Sequence, residues 1–325
     1  MYRATSARYG SLVIRDRDFR RPSLEVNSTA SSTAGSKSAI EVYEFMPGQS
    51  LAVGAKSASA PIADADGSVR ADPRALQAFA QRRIDGHRAS HRRITFTTNV
   101  LDLAPGVVTA ISGHPRGDLG ADRNLLVVST VLEGQEQAGF RALVQAVLAE
   151  APFRPPQSTS KPAALGLMTA TVVGPAGEEI YTDEFGRVRV QFPWDRDGKL
   201  DQHSSCWIRV SQGWGGTGYG MMAIPRVGQE VLVGCLAGDP DQPVVVGRLY
   251  NATQQVPYPL PAQKAVSGWK TNSTPGSSGY NELRFDDRAS QELLYVQAQR
   301  DLQKLVKHDE REQTTGNRSI SVGGT

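Results

Sequence analysis

The stretch from residue 168 to residue 251 constrains the fold most, because it holds five short runs of β-forming residues, each closed by turn residues. In the second run, Val188, Val190 and Phe192 share one face, while the intervening Arg and Gln side chains share the other. Five strands within about eighty residues predict a small closed barrel of the OB type, which leaves no unpaired sheet edge. The predicted strands are Thr169–Val173, Arg187–Phe192, Cys206–Ser211, Glu230–Leu236 and Pro243–Tyr250.

Three predicted turns of this barrel combine Asp with Gly. An Asp side chain accepts hydrogen bonds from nearby backbone N–H groups, and Gly adopts positive φ without a steric penalty. These residues therefore predict turns that specify the fold. The last two strands are more continuously apolar than the others, which predicts burial on both faces. The turns are Asp183-Glu184-Phe185-Gly186, Asp195-Arg196-Asp197-Gly198 and Gly238-Asp239-Pro240-Asp241.

The N-terminal part, residues 1–150, predicts a domain made mainly of strands. One helix is predicted from Pro73 to Ser90, because an apolar stripe recurs there with helical spacing and Asp72 is a candidate N-cap. The Ser/Thr/Ala-rich stretch 27–39 is poor in apolar residues and predicts a mobile loop. Residues 138–148 are compatible with either a short amphipathic helix or a strand.

Composition and a repeat divide the rest of the chain. Residues 151–165 are rich in Pro and predict a stiff linker, so the barrel domain spans 166–255. Residues 256–325 predict a neck followed by a repeat with a period of eight residues. Units this short bury no core alone and require neighbours along the chain or from other chains. The first position of each unit is β-branched (Val306, Thr314, Val322), and the third is Gly (Gly316, Gly324).

Charge and hydropathy disfavour several classes of protein. The net charge of +3 is too small to argue for nucleic-acid binding. No apolar run approaches the roughly twenty residues that span a bilayer, and the N-terminus lacks the features of a signal peptide, which predicts synthesis in the cytoplasm. Cys206 and Cys235 lie in predicted strands, which predicts buried free thiols, with a disulfide as the minor alternative because cytosolic chains rarely form one. The helix end is basic and predicts a solvated face, with a nucleic-acid patch as the alternative; its arginines are Arg82, Arg83, Arg88, Arg92 and Arg93.

Catalytic residues are not grouped in any recognisable pattern. His87 and His91 are four residues apart on the helix, but no third metal ligand accompanies them. Carboxylate pairs such as Glu178-Glu179 lie in turns between strands, where acidic residues are common. The sequence therefore predicts no enzyme, no metal site and no cofactor. The barrel leaves open a second hypothesis, a binding module for single-stranded nucleic acid or polysaccharide. The remaining histidines are His114, His203 and His308.

The barrel stretch resembles the VgrG family, the spike proteins of type VI secretion systems. The residues that carry this resemblance read VVGPAGEEIYTDEFGRVRVQFPWDRDGK, SSCWIRVSQGWGG, GMMAIPRVGQEVLVGCLAGDPDQPVVVGRLYN and NELRFDD. RDRDFRRPSL near the start and HPRGDLGADRNLLVVS fit the hub region that precedes the barrel in this family. The resemblance implies a mainly β protein with a partial hub-type barrel domain, an OB-type five-stranded barrel and the start of an intertwined trimeric β-helix. It also implies that the N-terminal half of the hub is missing from residues 1–150.

The resemblance further implies a homotrimer that sits on the Hcp tube, meets baseplate components and carries a PAAR-type tip protein, effectors or adaptors. The spike would assemble in the cytoplasm, leave without a signal peptide and puncture the target-cell envelope. Val306, Thr314 and Val322 would face the trimer axis, and Gly316 and Gly324 would form the corners of the β-helix. A hydrolase of the kind that some phage spikes carry is disfavoured, because no additional domain interrupts the barrel.

Overall fold

A computed structural model provides the structure of the chain. It describes residues 2–5, 9–19, 22–23, 25–31, 40–47, 51–52, 70–71, 73–89, 91–116, 119, 123–135, 139–150, 153–155 and 158–323. The chain divides into two compact units, Met1–Leu249 and Tyr250–Thr325.

The described residues form mainly strands, with one α-helix, α1 (Pro73–Arg88), and a short 3-10 turn at Leu236–Gly238. The strands are β1 (Tyr2–Thr5), β2 (Ser11–Asp16), β3 (Val26–Ser31), β4 (Glu41–Phe45), β5 (Leu51–Ala52), β6 (Arg70–Ala71), β7 (Arg92–Thr98), β8 (Val108–Thr109), β9 (Leu125–Gln135), β10 (Gly139–Leu148), β11 (Met168–Val173), β12 (Arg189–Gln191), β13 (Arg209–Val210), β14 (Gly215–Gly216), β15 (Tyr219–Gly220), β16 (Glu230–Cys235), β17 (Pro243–Leu249), β18 (Val266–Lys270), β19 (Glu282–Asp286) and β20 (Leu293–Gln297).

The helix packs across a three-stranded sheet of order β3-β2-β4. The prediction of a loop at 27–39 is wrong for residues 27–31, which form most of β3. Small side chains on β3 let the helix come close, and Ser28 Oγ donates a hydrogen bond to Gln77 Oε1 of the helix. Residues 32–39 and the candidate N-cap Asp72 lie outside the described residues. The core between helix and sheet consists of Leu12, Ile14, Val26, Ala30, Leu76, Ala80 and Ile84.

A second sheet has the order β1-β7-β10-β9-β8 and is built around the long β9–β10 hairpin. The stretch 138–148 is therefore a strand over its described residues, and the helical alternative is wrong. Ile94, Leu125 and Ala146 form part of its buried core. A bulge between Gln145 and Ala146 shifts the register within the hairpin.

The predicted OB-type barrel is confirmed, with strand order β12-β11-β16-β17-β13. The two ends of this order meet where Val188 and Ile208 exchange backbone hydrogen bonds of 2.9 and 2.8 Å, and this bridge closes the barrel. The interior is filled by small β-branched side chains. The buried core consists of Ala170, Val172, Val188, Val190, Ile208, Val231, Val233 and Val245.

Two predictions about the barrel need correction. Strands β16 and β17 are buried on one face only, because a single-layer barrel has a solvent side, and Val246 and Leu249 on β17 are exposed. Cys206 and Cys235 are free thiols but only partly buried, and Cys206 lies just before its strand.

The described part of the Pro-rich linker has no regular structure, and one lysine holds it against the barrel. Lys161 Nζ lies 2.5 Å from Asp239 Oδ1 and 2.6 Å from Asp241 Oδ2. The backbone N–H of Ala164 donates a hydrogen bond of 2.8 Å to the carbonyl of Gly238. Burial works to lower the pKa of Lys161, but the hydrogen bonds to both aspartates outweigh it and raise that pKa.

The second compact unit holds one antiparallel sheet, β18-β19-β20. Residues 298–323, which follow β20, have no helix or strand. Among the described residues of the whole chain, no helix has the length and apolar character needed to cross a bilayer.

Candidate self-association surface

The sheet of the second unit has one face made of large apolar side chains. The strand register places Trp269, Leu283 and Val296 opposite one another in a row across the three strands. The neighbouring row on the same face brings Phe285 and Leu294 together. Because side chains alternate between the faces of a sheet, these residues form one continuous apolar surface.

This apolar face is open in the single chain. Trp269 is 68% exposed, Leu294 61% and Val296 58%, while Leu283 is partly buried and Phe285 is 40% exposed. Single exposed apolar residues are common, but a contiguous patch on one face marks an interaction site. The apolar face of β18-β19-β20 is therefore the leading candidate for a contact surface.

The opposite face of the same sheet is mostly polar, and it is the covered one. Glu282 and Asp286 are buried there, and the guanidinium carbon of Arg284 lies 4.7 Å from the centre of the Tyr295 ring. Tyr258 is also buried, and a Cβ at Gly268 would lie only 2.8 Å from its hydroxyl oxygen. Burial raises the pKa of the Tyr258 hydroxyl. The chain thus covers the middle of the polar face, on β19, and leaves the apolar face open.

An ion pair supports the hairpin that joins β19 to β20. Arg288 Nε donates a hydrogen bond of 2.9 Å to Asp286 Oδ1, and a terminal guanidinium nitrogen donates one of 2.6 Å to Oδ2. These hydrogen bonds lower the pKa of Asp286. A bidentate pair of this kind has a defined geometry and supports the register that aligns the apolar rows.

The predicted repeat positions lie along the segment 300–323. Val306, Thr314 and Val322 are exposed, and Gly316 has no neighbouring side chain against it. Gly324 lies outside the described residues. Over the described part of this segment, no backbone N–H donates to a backbone carbonyl. The exposed ion pairs of this segment, such as Lys304 with Glu310 and Arg318 with Glu312, contribute little, because water screens them.

The repeat was found from the sequence, whereas the role of the sheet was missed. A signal was present in the alternation of Leu283 with Phe285 and of Leu294 with Val296. Trp269 belongs to no recognisable alternation of apolar residues in the sequence. The alternation predicted strands but did not tell which face the rest of the chain covers.

The acidic residues of the barrel turns act locally, as predicted. Asp183 Oδ1 accepts hydrogen bonds from the backbone N–H groups of Phe185 and Arg187, at 3.1 and 2.9 Å. Asp195 Oδ1 accepts from the N–H groups of Asp197 and Gly198, at 3.1 and 3.0 Å. These carboxylates complete turns.

Two of the three turn glycines have the positive φ that the sequence predicts, 68° at Gly186 and 75° at Gly238. Gly198 differs, because it is needed for space: a Cβ there would lie 2.6 Å from Asp195 Oδ2. Among the residues that the structure describes, no group of three His, Cys, Asp or Glu side chains could hold a metal ion.

Aromatic side chains of the barrel are used partly in internal contacts. The guanidinium carbon of Arg189 lies 4.8 Å from the Trp207 ring, and the same guanidinium donates hydrogen bonds to the carbonyls of Gln202 and Ser205. Trp207 also packs against Tyr181, with ring centres 4.9 Å apart. This aromatic and basic pair is occupied within the barrel, which weakens the hypothesis of a base-stacking groove.

Three protein-family models match successive parts of the chain. The phage tail baseplate hub (GPD) model matches residues 2–138, and the type VI secretion system/phage-baseplate injector OB domain matches 172–250. The bacteriophage T4 gp5 C-terminal trimerisation domain matches 267–325, a range that includes nearly all of the sheet with the open apolar face.

Curated relatives are type VI secretion system spike proteins of Pseudomonas aeruginosa strain PAO1. VgrG5 is 43% identical over 263 residues, which is 76% of this chain and 33% of the relative. VgrG1a is 38% identical over 328 residues, which is 97% of this chain and 46% of the relative. The chain thus spans less than half the length of these relatives.

Among solved structures, the Escherichia coli c3393 protein is 18% identical to this chain. It is described as a component of the type VI secretion system with structural similarity to the T4 bacteriophage tail proteins gp27 and gp5. The match covers 53% of this chain and 43% of that one with a TM-score of 0.41, too low to contribute to the assignment. The resemblance seen in the sequence is confirmed by the curated relatives and the three family models. The chain belongs to the VgrG family of type VI secretion system spike proteins.

Proposed function

We propose that this chain forms the body of a homotrimeric spike that works by mechanical delivery, without catalysis or a cofactor. The observation that carries the proposal is the sheet of residues 266–297, whose central polar residues Glu282 and Asp286 are buried by its own chain and whose apolar face is open. A second and a third copy of the chain are the occupants that this face requires, because the trimerisation family model matches the same residues.

Trimer formation would bury the apolar face against the equivalent faces of the other two chains. Fully burying one exposed large apolar side chain contributes about 1.5–3 kcal/mol. Trp269, Leu294 and Val296 are each about two thirds exposed, so together they supply about 3–6 kcal/mol per chain before ordering costs. This contribution adds to that of the intertwined segment 300–325, and the symmetry of a trimer lets each chain offer the same surface.

The segment 300–325 would then wind with its two partners into the β-helix. Val306, Thr314 and Val322 would point to the axis, and Gly316 and Gly324 would form corners. The unpaired backbone of this segment supports the proposal, because extended strands need neighbours to satisfy their N–H and C=O groups. Intertwining three chains pairs these groups along the length of the needle.

In this proposal rigidity is the functional property. Closed barrels and an interchain β-helix would transmit force from the Hcp tube and the baseplate to a PAAR-type tip protein and to carried effectors or adaptors. The assembled trimer would form in the cytoplasm and pass into the medium or the target cell without a signal peptide, breaching the envelope on the way. A polysaccharide-binding or nucleic-acid-binding barrel is the second candidate function, and exposed aromatic residues such as Trp194 and Trp214 favour it.

The experiment is the mass of the chain in solution, measured by light scattering after gel filtration. We expect about three times the chain mass of 35.0 kDa at micromolar concentration. Leu294→Asp places a charge on the apolar face and should give monomers. Leu200→Asp is the matched control, because Leu200 is also exposed but lies in a polar turn with positive φ, which Asp tolerates.

A monomeric wild-type chain, or an unchanged trimer for Leu294→Asp, would contradict the proposal. A shift of the wild-type chain with single-stranded DNA that weakens steeply with salt would favour the nucleic-acid alternative.

A further inference from the structure

The C-terminal half of α1 and the start of the linker line a basic cavity that is open to solvent. Its volume is about 310 Å³, and it lies at the basic end of the helix. The lining includes Phe79, Arg82, Arg83, His87, Arg154 and Pro155. Arg154 comes from a distant part of the sequence, so the cavity exists only in the folded chain.

The cavity has more positive than negative charge. Arg83 is neutralised by Glu44, with Nε 2.5 Å from Oε2 and a terminal nitrogen 3.1 Å from Oε1. Arg82 and Arg154 are exposed, and within the described ranges neither guanidinium has a hydrogen bond or an ion pair. Two guanidinium groups therefore line the same cavity with their donors available, and the planar fork of such a group suits a planar anion.

A histidine of the cavity has an unsatisfied polar atom. His87 Nε2 is buried and has no hydrogen-bond partner among the described residues. The ring is held edge-on against Tyr9, with centres 5.6 Å apart and planes at 80°. A buried polar atom without a partner is unfavourable, so this histidine marks a locally strained wall of the cavity.

The position of the cavity along the helix favours a carboxylate over a phosphate. Phosphate sites typically use the N–H groups of a helix N-terminus, whereas this cavity lies near the C-terminus, where the helix dipole is negative and opposes a doubly charged ligand. A singly charged carboxylate fits this field better. The Phe79 and Pro155 rings add an apolar wall, which suits an apolar side chain next to the carboxylate.

We propose that this cavity binds an acidic peptide segment of a partner protein, in which Asp or Glu is adjacent to an apolar residue. The carboxylate contacts Arg82 and Arg154, and the apolar neighbour packs on Phe79 and Pro155. This proposal does not depend on trimer formation, because all of its residues lie in the first compact unit.

The test is fluorescence anisotropy of a rhodamine-labelled peptide of sequence GELEG titrated with the full chain, with GQLQG as the uncharged control peptide. We expect GELEG alone to bind, and Arg82→Gln and Arg154→Gln each to weaken binding at least about threefold, the effect of losing one exposed ion pair. Arg141→Gln is the matched control, because Arg141 is exposed on β10, away from the cavity lining, and its removal changes net charge equally.

Equal binding of GQLQG, or equal losses for Arg141→Gln and Arg154→Gln, would overturn the proposal. Competition between GELEG and inorganic phosphate is a second measurement. If phosphate displaces GELEG more effectively than chloride at the same ionic strength and Arg154→Gln abolishes this displacement, the site is a phosphate site and the peptide assignment is wrong.

Discussion

The ring of Phe19 lies 4.6 Å from the guanidinium carbon of Arg209, and this contact joins the N-terminal sheet to the OB barrel. Phe19 follows β2 closely, and its ring also contacts Phe185 edge-on, with centres 5.8 Å apart. The guanidinium carbon of Arg187 is 5.8 Å from the same ring. Burial, together with the charges of Arg17 and Arg187, lowers the pKa of Arg209. One aromatic ring thus stabilises two neighbouring cations.

Replacing Phe19 should loosen this junction. We expect Phe19→Ala to lower the free energy of unfolding by about 2 kcal/mol, since it removes an aromatic pair and two cation–π contacts. The measurement is urea unfolding followed by tryptophan fluorescence. Phe45→Ala is the control, because Phe45 is exposed on β4, and it should change stability by less than about 0.5 kcal/mol. Equal effects of the two variants would contradict the assigned role of Phe19.

The pair Asp183–Arg187 is the most buried ion pair among those described, with side chains 9% and 4% exposed and Nε 2.5 Å from Oδ2. Asp183→Asn keeps the turn-forming oxygen but leaves the Arg187 charge unpaired, so we expect a loss of about 3 kcal/mol in the free energy of unfolding. Asp195→Asn is the control, because Asp195 accepts backbone hydrogen bonds in a similar turn but has no buried arginine as its partner. It should lower the free energy of unfolding by less than about 1 kcal/mol.

A double variant separates charge from packing at the same place. Because a buried charge without a partner is the main cost, Asp183→Asn with Arg187→Met should be more stable than Asp183→Asn alone. If the double variant is less stable than the single one, the loss comes from packing of the arginine and the electrostatic explanation fails. Both are measured by urea unfolding.

We call the contact of Lys161 with Asp239 and Asp241 the Lys161 strap, and its contribution to the free energy of unfolding should depend on pH. The pKa of Lys161 is raised in the folded chain. The stabilisation from its ammonium group is therefore complete below the unfolded pKa of 10.5, and it is lost as pH rises through the higher folded pKa. At pH 8 we expect Lys161→Met to lower stability by no more than about 1 kcal/mol, because the side chain is 43% exposed. Above pH 11 the difference from wild type should shrink.

Lys199→Met serves as the control for the strap, since Lys199 is an exposed lysine without a described ion pair. It should match wild type at both pH values. A Lys161→Met effect that is as large above pH 11 as at pH 8 would mean that the strap does not act through the ammonium group. Thermal unfolding midpoints provide the measurement.

Removal of residues 300–325 tests the repeat segment separately from the sheet. We expect the truncated chain to lose the trimer at micromolar concentration, because the intertwined strands would contribute the longest interchain contact. Light scattering measures the mass, and an unchanged trimer would show that the apolar face of β18-β19-β20 is sufficient by itself. In that case the axis positions proposed for Val306, Thr314 and Val322 would be wrong.

Much of the barrel was predictable, because its signals are local. The alternation of Val188 with Val190 and the Asp–Gly turns depend on residues near one another in the chain. The helix stripe of Leu76, Ala80 and Ile84 was equally clear. By contrast β3 was missed, because Ser28 and Ala30 carry no strong strand preference and are buried only because the helix packs on them.

The family, the five barrel strands, their turns and the eight-residue repeat follow from the amino-acid sequence alone, since each depends on residue type and spacing. Only the tertiary structure decided that Val188 meets Ile208 to close the barrel, that Arg154 joins Arg82 at one cavity, and which sheet face stays open. The reason is physical. Alternation places Leu294 and Tyr295 on opposite faces of β20, but the face that is covered depends on contacts with distant residues such as Tyr258.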